Sequence, residues 1–74
     1  MTLPATTFLN NCQIGHYRVV RADDPSLAQL KSMGLVEGRA IEIWQVGNPT
    51  IIRIGGSKIG ISARLTGLIE VQLA

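Results

Sequence analysis

The sequence predicts a small, mainly β fold: a partly open barrel of about five short strands, with one short helix inserted after the first strand. Three observations carry this expectation. Apolar residues alternate with polar ones in short runs, at Ile41/Ile43, Ile59/Ile61 and Ile69/Val71/Leu73. Turn-forming residues punctuate those runs at Gly38, Gly47-Asn48-Pro49, Gly55-Gly56 and Gly67. One segment only, Asp24 to Gly34, carries both a helix start and a helix stop.

Seventy-four residues make one domain. Folding at this size buries only about 60–65% of the surface of the unfolded chain, so a disulfide, a metal or a partner often adds stability. Cys12 is the only cysteine, which excludes an internal disulfide and fits a reducing cytosol. Residues 1–14 read as a loose, polar N-terminal leader, and residues 15–74 as the folded domain. The leader lacks the basic and apolar regions of a signal peptide. No run approaches the ~20 apolar residues that span a bilayer, so the expectation is a soluble, cytoplasmic chain without membrane insertion.

Taken in order, His16 to Arg21 is the first strand, with Tyr17 and Val19 on one side. Asp24 caps the helix and Pro25 suits its first position, where no N–H partner is needed. Leu27, Leu30 and Met33 then fall three apart, near one face, and Met33 is expected in the core. Gly34 ends the helix in a left-handed conformation and lets Leu35 fold back on Leu30. Val36 to Arg39 turns at Gly38 into a strand, Ala40 to Val46. There Ile41 and Ile43 face one side, Glu42 and Trp44 the other. Thr50 to Ile54 is a strand, and Gly55-Gly56 is a two-residue hairpin turn into Ser57–Ser62. Ala63 to Gly67 makes a single turn before the closing strand.

The segment Leu30-Lys31-Ser32-Met33-Gly34-Leu35-Val36-Glu37-Gly38-Arg39-Ala40-Ile41 resembles the L-x-x-M-G-L-x-x-G-x-x-I signature of the ferrous iron transport protein A (FeoA) family, an SH3-like domain. Gly47-Asn48-Pro49-Thr50-Ile51-Ile52 resembles the family's G-D-P-I loop and strand. Ile59-Gly60-Ile61 and Ile69-Glu70-Val71 resemble its closing strands. The resemblance spans Gly15 to Leu73. It implies a cytosolic, non-catalytic accessory of the membrane ferrous iron transporter FeoB, which has a cytosolic GTPase domain. Similar domains end iron-dependent repressors, so a metal-responsive regulatory domain is the alternative the resemblance leaves open. Two departures stand out: Ile61-Ser62 replaces the usual Leu-Arg pair, and Leu65-Thr66-Gly67 replaces acidic and Ala residues. Arg64 is a candidate in place of the missing Arg.

Little in the sequence supports chemistry. A nucleophile needs a positioned base, and His16 is the only histidine. Ferrous iron favours two His and a carboxylate, and soft sites use several Cys, whereas this chain has one His and one Cys. Gly55-Gly56 lacks the Lys-Ser/Thr of a phosphate-binding loop. No catalytic residue, metal site or cofactor is expected. The candidates are partner-binding: Trp44, either exposed on the outer face or covered by the helix or leader, and Leu65, Leu68 and Arg64 near the short turn. Arg53 and Lys58 can face out together across the hairpin. The net charge of +2 is spread singly, and Phe8, Tyr17 and Trp44 form no evident row, which weakens the third reading, a nucleic-acid-binding barrel. Exposed Ile-rich edges leave a homodimer open.

Overall fold

In the computed structural model, which describes residues 5–74, six antiparallel strands form one sheet. They are β1 (Thr6–Phe8), β2 (Gly15–Arg21), β3 (Ala40–Gln45), β4 (Thr50–Ile54), β5 (Ser57–Ile61) and β6 (Glu70–Leu73). Their order is β1-β6-β2-β3-β4-β5, so the sheet curls without closing. The helices are α1 (Ala28–Ser32), between β2 and β3, and the four-residue α2 (Ala63–Thr66), between β5 and β6. The core is the inner face of this sheet together with Leu9, Leu27, Leu30 and Leu35.

The expectation of a loose leader is corrected by the segment from Thr6 to Cys12; residues 1–4 lie outside the described part. Thr6, Thr7 and Phe8 pair with Gln72, Val71 and Glu70, giving a sixth strand. Thr6 Oγ1 also donates to Glu70 Oε2 at 2.7 Å. A short 3-10 turn, Leu9–Asn11, then leads to Cys12, and Leu9 and Cys12 are both buried. The physical reason is local composition: two β-branched residues and an aromatic suit a strand, and Leu9 has an apolar interior to enter. The Tyr17 hydroxyl ties down the next residue, Gln13, donating to its carbonyl at 3.0 Å and accepting from its N–H at 3.3 Å.

The helix begins and ends as its sequence dictates, with a different interior. Asp24 Oδ1 accepts from Ser26 N at 2.9 Å, which lowers the carboxyl pKa, because that bond favours the charged form. Pro25–Leu27 is 3-10, and α-helix continues from Ala28. At the other end Leu35 N donates to Leu30 O and Gly34 N to Lys31 O, both at 3.0 Å, the paired bonds of a Schellman stop. Gly34 has φ +109°, a conformation side chains resist. Leu30 and Leu35 are both buried, as expected. Met33 is not: it is 48% exposed. On an α-helix each three-residue step falls about 60° short of a full turn, so Met33 rotates off the face that Leu27 and Leu30 share.

Alternation reads correctly through the central strands. Ile41, Ile43, Ile52, Ile54, Ile59 and Ile61 are all buried. Arg53 pairs directly with Lys58, and the turn between them has Gly55 at φ +60°. The buried Thr50 and Thr66 hydroxyls are satisfied by the carbonyls of Gly47 and Ala63, at 2.9 and 2.6 Å.

Candidate functional site

Trp44 owes its position to an irregularity in β3. Ile43 pairs with Ile52 and Gln45 with Ile51, so Trp44 is the extra residue of a bulge against β4. Its ring stands on the outer face, 43% exposed. Lys58 Nζ lies 4.6 Å from the ring centroid and Arg53 Cζ 5.9 Å, within cation–π reach. Of the two fates open to Trp44, exposure is therefore the one realised. Trp44, Gln45, Ile51, Lys58, Ile59 and Gly60 line a groove of about 360 Å³.

A second groove of about 360 Å³ opens between α1, α2 and β5, lined by Leu30, Met33, Leu65, Ile59 and Gly60 with Ser26, Gln29 and Ser62. Leu65 is partly buried and packs on the core. Leu68 and Arg64 are exposed but line neither groove. Of the four residues singled out in the sequence, the structure brings Trp44 and Leu65 to opposite sides of one strand and leaves the other two apart. Sequence reasoning missed that Gly60 and Ile59 link the grooves. Alternation puts Gly60 beside Lys58, but the β3–β4 bulge and the β4–β5 register together bring Trp44 to the groove that both line.

Among the described residues, Cys12 and His16 lie in different surroundings. Cys12 Sγ is buried against the Phe8 carbonyl at 3.5 Å, and burial pushes its pKa up, partly offset by the Tyr17 hydroxyl. His16 is exposed, with Nε2 3.9 Å from Glu42 Oε2. Among the described residues no three of His, Cys, Asp and Glu cluster as metal ligands would. Among the same residues, no helix is long and apolar enough to cross a membrane.

Known structures share this fold. A crystal structure of an iron uptake regulatory protein (FeoA) is 29% identical, with a TM-score of 0.79, covering 92% of this chain and 96% of that one. The solution structure of iron(II) transport protein A from Clostridium thermocellum is 31% identical at TM-score 0.81, over 92% of this chain and 46% of that one. IdeR from T. acidophilum reaches TM-score 0.84 at 22% identity, over all of this chain and 37% of that one, a likeness of fold alone. No curated protein sequence matches. These likenesses define a small SH3-like domain of the kind found in iron-uptake proteins and metal-dependent regulators. The FeoA domain family matches residues 8–73, and the chain belongs to that family, which is tied to ferrous iron transport.

Proposed function

We propose that this chain is a non-catalytic, cytoplasmic accessory of ferrous iron uptake that acts by binding the cytosolic domain of the membrane transporter FeoB. Membership of the FeoA domain family is the observation that carries this reading. The surface fits it: an exposed Trp lining one groove, with a second groove that shares Ile59 and Gly60, suits protein contact, because large aromatic anchors dominate binding energies. A non-catalytic role is supported by the placement of the only Cys and the only His, one packed in the interior and the other facing solvent.

The scatter of the aromatics does not favour an oligonucleotide platform, since Tyr17 is buried while Phe8 and Trp44 sit on strands three places apart. Titration against the purified cytosolic domain of the transporter tests the proposal. Saturable binding that weakens on Trp44→Ala or Leu65→Ala is expected. No binding by the intact chain removes the proposal, and binding indifferent to both substitutions removes the surface.

A further inference from the structure

We propose that β5 is a docking edge for an extended acidic segment of a partner protein, which adds to the sheet as a seventh strand. β5 ends the strand order and bonds to β4 on one side only. Its other side has no backbone or side-chain hydrogen-bond partner among the described residues. Exposed edges are usually blunted by Pro, a bulge or a covering segment. Here the β4–β5 register runs unbroken from Thr50↔Ile61 to Ile54↔Ser57, leaving a regular template.

The two grooves give such a strand its side-chain sites. Side chains of a strand alternate between faces, so one set from an added strand enters the Trp44 groove and the other the Leu30–Met33–Leu65 groove. The second groove sets Leu30, Leu65 and Ile59 beside the polar Ser26, Gln29 and Ser62, and includes Met33, whose flexible thioether adapts to varied partners. The first is basic. Among the described residues neither Lys58 nor Arg53 has a carboxylate within 4.0 Å, and Glu42, which opposes Arg53 on this face, lies at His16 instead. Carboxylates at every second position of the incoming strand complete this set. Gly60 keeps the floor open between the grooves, and a Cβ there would rest against Pro49 and Ile51 at 3.5–3.6 Å, in ordinary contact.

Charge also selects against self-association. Pairing β5 with β5 of a second copy adds a second Lys58 to the sheet and brings no carboxylate to either, since β5 carries none. The preferred sequence is therefore alternating apolar and acidic residues. This inference rests on the reading of the chain as an interaction module, and names the surface and the chemistry of its partner.

The test is a titration of the full, 15N-labelled chain with an end-capped octapeptide of four Val-Glu repeats. Two controls accompany it: four Val-Lys repeats, and the Val-Glu peptide N-methylated on alternate residues. Saturable shifts at Ser57–Ile61, the Trp44 indole and Leu65 are expected, with slowed amide exchange along β5. Both controls, and the Lys58→Glu variant, bind at least about tenfold more weakly. Gly60→Val, which needs no unusual backbone angle, narrows the floor and weakens binding likewise. Absence of shifts at β5 at millimolar peptide, or equal binding of the N-methylated peptide, overturns the proposal. So do β5 shifts that grow with protein concentration alone, which mark a second copy as the occupant. A peptide that binds β5 beside a transporter domain that does not bind defeats the transporter reading and leaves this surface standing; the reverse result does the opposite.

Discussion

Gly34→Ala perturbs the point where the helix hands over to the sheet, and its effect comes from two features of the structure. The residue sits at φ +109°, where an alanine is strained by about 1–3 kcal/mol. A Cβ there also meets Ile54 Cγ2 at 3.3 Å, and Ile54 is 3% exposed with little room to retreat. Such crowding adds about 1 kcal/mol, so the total is roughly 2–4 kcal/mol. A domain of this length holds roughly 4–11 kcal/mol of stability, so the loss is a large fraction of it. Urea unfolding with Trp44 fluorescence as the probe measures it: with an m-value of about 1 kcal/mol/M the midpoint falls by ~2 M or more. Gly56→Ala is the control. It carries no positive φ and has open space around it, so it stays within about 0.5 kcal/mol. Equal midpoints for the two variants would refute the strain argument.

Three further outcomes rest on the same geometry. Leu9→Ala, 1% exposed, loses about 2–5 kcal/mol in urea melts, whereas Leu73→Ala, 73% exposed, changes little; equal effects contradict the packing of the N-terminal segment. Asp24 has a lowered pKa, so its cap stabilises above the usual aspartate value of about 3.9 and is lost as pH falls through the lower folded value. Asp24→Ala is accordingly less stable than the parent at neutral pH and converges with it in strong acid, as melts at the two pH values show. Cys12, buried with a raised pKa, alkylates far more slowly in the native chain than in urea near pH 8. Comparable rates contradict its burial.

The helix ends were legible because their signals are local: Asp24, Pro25, Gly34 and Leu35 each act within a turn of their own position. The inner faces of the central strands were legible from a period of two. What stayed hidden was non-local. Thr6 pairs with Gln72 across almost the whole chain, and nothing near Thr6 announces that partner, so a strand read as a leader. Met33 shared its spacing with two core leucines, yet a 3-10 first turn and the shortfall of a three-residue step swung it outward. Trp44 and Leu65 were visible as candidates singly. Their relation required the bulge at Trp44 and the register that sets Gly60 between them, neither of which a one-dimensional pattern contains.

The most direct measurement is NMR mapping of the labelled chain against the transporter's cytosolic domain. Perturbations confined to Trp44, Lys58, Gly60 and Leu65, with dissociation sharply faster after Trp44→Ala, are the predicted outcome. A saturable complex whose perturbations fall instead on β1 and β6, leaving the β5 side untouched, contradicts it.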